Sequence, residues 1–330
     1  MIDIIIPTYK NKDGLRTTLD SIDWNNNNFS ITIIDDASNL DYSDIIVEYP
    51  NINQLVVLPQ NGGPGMARQY GIDHTNNDYL LFIDTGDYFI SKNLFNEIPT
   101  VIKENPTAKV FMWHFSDGIT NSSPTNNHLH GKVYKRDFIV TNNISFCPEG
   151  SYANEDIGFN RACRMVLRQL ERNENINYFK EIKKTLVFWP RTDPNSLTLR
   201  DGGIFSYIKQ NLGLARNMIH VFNSIKVDED IKLEEISEII SHLYFSFICT
   251  ILERPECANE SWAGAKLFYD GIYKNCNMPE TLIQMRYSQV VTRLRKRFKT
   301  FPFPLNLRRF IIELEKFEKP PAHYLTFSKN

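Results

Sequence analysis

Residues 60–88 read QNGGPGMARQYGIDHTNNDYLLFIDTGDY, a glycine-rich turn opening a helix that leads into an apolar strand ending in carboxylates. Gly62, Gly63 and Gly65 permit close backbone approach and Pro64 suits a first helical turn, so residues 66–73 are predicted to continue that helix. Residues 79–83 (YLLFI) read as a buried strand. Asp84 and Asp87 then stand at its carboxyl end, where open α/β sheets place ligands. Carboxylates at such an edge can hold a divalent cation, and a polar turn after a strand is the plainer alternative.

The residues before this stretch repeat the pattern. Residues 2–7 (IDIIIP) and 31–34 (ITII) are short, β-branched runs, followed by Thr8-Tyr9-Lys10 and Asp35-Asp36-Ala37-Ser38. Between them, Leu15, Leu19 and Ile22 recur at helical spacing, which predicts a βαβ unit. Residues 55–58 supply a further strand. Several strand ends therefore carry polar residues toward one edge.

In order along the chain, IIIPTY (4–9), IIDDAS (33–38), NGGPGMARQYG (61–71) and FIDTGDY (82–88) resemble the successive motifs of the family 2 glycosyltransferases. GKVYKR (131–136), FCPEG (146–150) and NEDI (154–157) are similar to that family's acceptor-side segment. The resemblance spans about the first 200 residues and implies an α/β, Rossmann-like GT-A nucleotide-sugar domain over 1–200. It also implies inverting transfer of a hexosyl or pentosyl group from a nucleotide sugar, a UDP-sugar in the first instance, to an acceptor hydroxyl.

Roles follow from what such a transfer needs. Pro7, Thr8 and Tyr9 would border the nucleoside, with Tyr9 offering a stacking face. Asp35 or Asp36 would accept from a uracil N3–H, the job the resemblance assigns to that motif; a cap or turn aspartate is the alternative. Arg68 would reach nucleotide or diphosphate oxygens, and Arg191, with Ser196, would close beside the diphosphate. Asp84 is the expected metal-associated carboxylate for Mn²⁺ or Mg²⁺. Here the chain departs from the family, since Gly86 stands where a second metal-binding carboxylate is usual. Three outcomes follow: Asp87 takes the ligand's place, Asp84 acts alone with the diphosphate, or the site is weakened. The Glu155-Asp156 pair resembles the family's acids at a helix start, with Asp156 as the base and Glu155 orienting it or the acceptor. Free aspartate ionises near pH ~4, so a carboxylate there is ready to take a proton. Acids in a first helical turn also simply complement the helix dipole.

Trp113 and His114 lie in a strand over 109–115 and could face the sugar or acceptor, although core packing is the commoner fate of such a pair. His128 and His130 have a possible metal spacing, but no acidic or cysteine cluster adjoins them in sequence, so they read as loop histidines.

With 330 residues and 42% hydrophobic content the chain can bury a full core and is expected to have two parts. The five cysteines lack CxxC spacing, which favours free thiols and a cytoplasmic protein, possible peripheral attachment aside. The start does not resemble a signal peptide, and the apolar run 242–252 is too short to span a bilayer. From residue 201 to 330 the pattern turns helical, with helices predicted over 203–224, 231–252, 262–273, 280–299 and 306–318. The span 286–309 holds Arg286, Arg293, Arg295, Lys296, Arg297, Lys299, Arg308 and Arg309 and no acid, in a chain whose net charge is −2. Such a cluster suits an anionic neighbour, whether a phospholipid, a polyprenyl phosphate or nucleic acid, or else a solvated face paired with acids elsewhere. Three readings of the whole follow: synthesis of surface polysaccharide or glycolipid, glycosylation of hydroxymethylated bases in DNA, or a nucleotide-sugar-binding protein whose catalytic site has decayed.

Overall fold

The computed structural model describes residues 1–118, 121–122, 127–148, 153–190, 204–298 and 306–325. They form two compact units, Met1–Asp193 and Pro194–Asn330.

The first unit begins with β1 (Ile2–Thr8), α1 (Lys12–Asp20), β2 (Phe29–Asp35), α2 (Ser43–Glu48), β3 (Gln54–Val57), α3 (Pro64–His74) and β4 (Tyr79–Phe82). Next come β5 (Tyr88–Phe89), α4 (Leu94–Glu104), β6 (Val110–Ser116), β7 (Asn121–Ser122), β8 (Lys132–Lys135), α5 (Arg136–Thr141), α6 (Glu155–Glu174) and β9 (Phe179–Phe188). The sheet runs β3-β2-β1-β4-β8-β6-β9-β5, with β7 paired to β6. Strands β3, β2, β1 and β4 are mutually parallel, as crossover helices require, whereas β8 is antiparallel to both β4 and β6. Every residue of β1 is buried, as expected of a parallel strand covered on both faces.

Local chemistry sets the helix starts. Asn11 caps α1 by accepting from the Gly14 amide at 2.9 Å, and Pro64 occupies the first turn of α3. Gly63, just before it, has φ 86°, a left-handed conformation that glycine adopts without strain. Parallel pairing aligns Thr8 with Asp35 and Ile5 with Phe82, so the segments after β1, β2 and β4 emerge at one edge. The reversed direction of β8 brings its first residue, Lys132, to that same edge.

Beyond this unit lie α7 (Ile204–Ser224), α8 (Glu229–Glu253), α9 (Ala258–Gly271), α10 (Glu280–Arg297), α11 (Leu307–Lys316) and α12 (Ala322–Leu325). Helix α8 is long and apolar enough to cross a membrane, yet 78% of its most apolar window is buried within the protein, the state of a core helix. The described part of the basic span is largely paired inside this unit. Arg297 grips Glu253 through two bonds of 2.8 and 2.7 Å, Arg309 reaches Glu313 at 2.7 Å, and Arg293 lies over the Phe245 ring at 4.1 Å. All five cysteines are free thiols.

Candidate active site

Asp84, at the end of β4, begins a four-residue turn closed by the Asp87 amide donating to the Asp84 carbonyl at 3.0 Å. Gly86 is third in this turn with φ 100°, the left-handed position of a type II turn. The residue that replaces the usual carboxylate is thus the one the turn geometry demands. Thr18 holds the turn from α1, accepting from the Gly86 amide at 2.9 Å and donating to the Asp87 carbonyl at 2.7 Å.

Asp87 is buried with its carboxylate 2.9 Å from His130 Nε2, and the nearest ligand atoms of Asp84, Asp87 and His130 all lie within 4.8 Å of one another. Asp87 Oδ2 and both His130 ring nitrogens are buried without a well-formed hydrogen bond. Buried polar atoms left in this state call for a partner. Two carboxylates and an imidazole suit Mn²⁺, with Asp84 partly open to the cleft, so the residues present fit a divalent ion. His130 does lie in a loop, as read from the sequence, but the acidic neighbours not visible there are supplied in space. Its acidic partners come from 43 and 46 residues upstream and could not be seen as a local cluster.

Arg68 projects from α3 into the same place. It is 3% exposed, with Nη2 donating to Asp84 Oδ1 at 2.5 Å and Nη1 to Glu155 Oε1 at 2.9 Å. Burial opposes its charge, but the two carboxylates outweigh that and raise its pKa. Burial likewise works to raise Asp84, yet Arg68 and then His130 hold it below the ordinary carboxylate range. Glu155 is pushed up to about 7 by burial, against the pull of Arg68, and Asp87 to about 6 by burial, against His130. His130 is raised, because Asp87 overcomes the desolvation that would lower it.

Asp156 follows Glu155 in the first turn of α6. Oδ1 accepts from the Ile157 amide at 2.8 Å, and Oδ2 lies 3.3 Å from His128 Nδ1. His128, also a loop residue, therefore joins this cluster. Asn154, before the helix, adopts a left-handed φ of 61°.

The two aspartates at the end of β2 have partners within the protein. Asp35 accepts from Ser38 Oγ at 2.5 Å and Tyr42 OH at 2.9 Å, and Asp36 accepts the amides of Gly62 and Gly63, each at 2.8 Å. The glycine-turn amides are thereby directed to Asp36. Gly65 serves a different approach: a Cβ there would meet Glu155 Cβ and Cγ at 3.2 Å, so its absence lets α3 and α6 close on each other. Pro7 and Thr8 are buried at the end of β1, and Tyr9 is 38% exposed. Trp113 is fully buried in the core, whereas His114 pairs with Glu181 at 3.1 Å. Arg191 and Ser196 lie outside the described residues.

Among the described residues, Asp84, Asp87, Glu155 and Asp156 thus gather around Arg68, His128 and His130. A cavity of about 600 Å³ farther along α6 reaches this group only through Lys132 and Asn160. None of the four acids lines it, so the chemistry belongs to the sheet edge.

Comparison with known proteins agrees with this geometry. Residues 3–157 match the model for glycosyl transferase family 2. Over 192 residues the chain is 26% identical to the Escherichia coli UDP-Glc:alpha-D-GlcNAc-diphosphoundecaprenol beta-1,3-glucosyltransferase WfaP, covering 57% of this chain and 68% of WfaP. It is 28% identical to the Staphylococcus aureus poly(ribitol-phosphate) beta-N-acetylglucosaminyltransferase TarS over 108 residues, which span 31% of this chain and only 19% of TarS. The crystal structure of TarS residues 1–349 in complex with UDP superposes with a TM-score of 0.65 at 18% identity, covering 99% of this chain and 90% of that one. Neither the DNA reading nor the binding-protein reading draws support from these comparisons. Residues 3–157 thus carry the match to glycosyl transferase family 2, and the chain has the GT-A fold of the glycosyltransferase structures it superposes on.

Proposed function

We propose that this chain is an inverting glycosyltransferase that moves a sugar from a UDP-sugar to an acceptor hydroxyl in the synthesis of a surface polysaccharide or lipid-linked glycan. The observation that carries the reading is the seating of Glu155 on Arg68 beside Asp84, which brings the acid pair of α6 to the carboxylates at the end of β4. WfaP is named for a UDP-glucose donor and a lipid-linked acceptor, and TarS has been solved with UDP; both support the donor class. Free thiols fit a cytoplasmic site of action.

In this mechanism an acceptor hydroxyl against Asp156 gives its proton to that carboxylate as its oxygen attacks C1 of the sugar. The bond from C1 to the diphosphate oxygen breaks on the opposite face, and its electron pair leaves with UDP. One base and no carboxylate nucleophile at C1 correspond to a single displacement with inversion. Arg68 fixes Glu155, and through it the first turn of α6 on which Asp156 stands. Pro7, Thr8, Tyr9 and the Asp35-Asp36 turn form the nucleoside edge, where Asp35 and Asp36 shape the loops that face the base. Asp84, Asp87 and His130 would hold Mn²⁺ or Mg²⁺, which when bound would neutralise charge on the leaving diphosphate.

The test is release of UDP from a panel of UDP-sugars with Mn²⁺ or Mg²⁺, comparing wild type with Asp84→Asn and Asp156→Asn. Turnover confined to one donor and lost in both variants is expected, with NMR of the product reporting the inverted anomer. Turnover that persists in Asp156→Asn, or a retained anomer, would overturn the assignment.

A further inference from the structure

His128 and His130 leave the segment before β8 on the same side, with Leu129 turned into the core between them. One imidazole meets the carboxylate at the metal end of the cleft and the other meets the carboxylate at the acceptor end. His130 is accounted for by the cation site. His128 has no such role, and its contacts form a closed circuit around Asp156.

The circuit has four members. His128 Nδ1 lies 3.3 Å from Asp156 Oδ2, and because the carboxylate is an acceptor the ring nitrogen is the donor. The backbone carbonyl of Asp156 accepts from Asn160 Nδ2 at 2.8 Å, one turn along α6. Asn160 Oδ1 in turn accepts from Lys132 Nζ at 2.8 Å and from Tyr134 OH at 2.9 Å. Lys132 Nζ also donates to the backbone carbonyl of His128, which closes the loop. Lys132 is 2% exposed. Burying an ammonium group is costly unless it is fully engaged, and here it ties the two backbones that carry the histidine and the aspartate. Aromatic neighbours fix the ring plane: Phe115 is edge-on at 5.9 Å and Trp189 lies at 6.2 Å.

We propose that His128 is a positioning residue that orients the Asp156 carboxylate for proton abstraction from the acceptor, an inference that rests on the transferase reading above. Oδ1 is engaged by the Ile157 amide. The bond from His128 to Oδ2 sets the rotation of the carboxylate about its remaining free torsion, on a side chain that is still 22% exposed. A base misaligned by even a small rotation loses rate without losing donor affinity, because the donor is held elsewhere.

The test exploits amide geometry. The Nδ2 of an asparagine falls near the place of histidine Nδ1, whereas a glutamine amide falls nearer Nε2. With saturating acceptor, His128→Ala and His128→Gln should lower kcat about 10- to 100-fold with donor KM within about two-fold, the range seen when groups supporting a reactive ligand are removed. His128→Asn should recover to within about five-fold of wild type. In an Asp156→Ala background, His128→Ala should cost nothing more. Equal losses in the Asn and Gln variants, or full additivity with Asp156→Ala, would show that His128 only packs. Retained kcat in His128→Ala overturns the role of His128 alone. Absence of wild-type turnover with every UDP-sugar overturns the transferase reading and the role of His128 with it.

Discussion

Arg68 Nη1 donates to Glu155 Oε1 at 2.9 Å, joining residues 87 positions apart and locking the first turn of α6 to the helix that follows the glycine turn. Because the other arm of the same guanidinium holds Asp84, one side chain sets the spacing between the two halves of the cleft. Removing it leaves a buried carboxylate without its counter-ion. Arg68→Met is expected to destabilise the domain by about 3 kcal/mol, the lower end for breaking a buried ion pair because Asp84 is partly solvated. Arg68→Lys should recover little of this, since an ammonium group lacks the fork that spans two carboxylates. Urea unfolding of the three proteins measures it, and a lysine variant as stable as wild type would refute the bridging role.

Gly65 faces Glu155 so closely that an added Cβ would sit 3.2 Å from two of its carbons. Overpacking costs about 1–3 kcal/mol, of which alanine's better helix propensity returns ~1 kcal/mol. Gly65→Ala should therefore lose roughly 1 kcal/mol in stability while lowering turnover at least about ten-fold, because α6 carries Asp156 with it. The informative comparison is activity against melting temperature. Unchanged turnover would mean that the first turn of α6 does not need this approach.

Gly86→Asp tests whether the usual carboxylate can simply be restored. At φ 100° a side chain is strained, so the change should cost ~1–2 kcal/mol and leave Mn²⁺ affinity unimproved. Isothermal titration with Mn²⁺ and UDP reads the second outcome. A tighter ion with no loss of stability would show that the turn tolerates the family's common pattern.

His130→Ala and Asp87→Asn should each weaken Mn²⁺ binding at least about ten-fold, and wild-type turnover should be abolished by EDTA and restored by added Mn²⁺. Binding measured by Mn²⁺ electron paramagnetic resonance needs no turnover. Wild-type affinity in the His130 variant would remove the imidazole from the ligand set.

Burial pulls the Lys132 ammonium from the ordinary 10.5 down to about 7. Between those values the unfolded chain binds more protons at this site than the native one. Native stability therefore rises with pH from about 7 toward 10, and the penalty is fully present below pH ~7. In Lys132→Met that rise should disappear. Denaturant midpoints for both proteins at pH 6.5, 8 and 9.5 test it, and parallel pH profiles would show that the amine stays charged throughout.

Much of the first unit was legible because its signals are local. The β-branched runs at 2–7 and 31–34, the Pro64 start and the acid pair at 155–156 each declare an element within a few residues, and the structure places β1, β2, α3 and α6 there. Ligand pairing was not legible. His128 and His130 carried a metal-like spacing, but their partners, Asp156 and Asp87, lie elsewhere in the chain. The acids that pair the basic span were hidden for the same reason, since Glu253 meets Arg297 only across packed helices.

By itself the sequence determined the order of elements, the parallel run of strands and the edge where polar residues collect, because hydrophobic period, turn residues and helix caps act over short range. Tertiary structure alone decided which carboxylate meets which cation. The reversed direction of β8 swings His128, His130 and Lys132 back to the edge of β4, and the missing side chain of Gly65 lets Glu155 reach Arg68. Those pairings join residues 16 to 87 positions apart, at distances that packing of the sheet and α6 sets and no local pattern encodes.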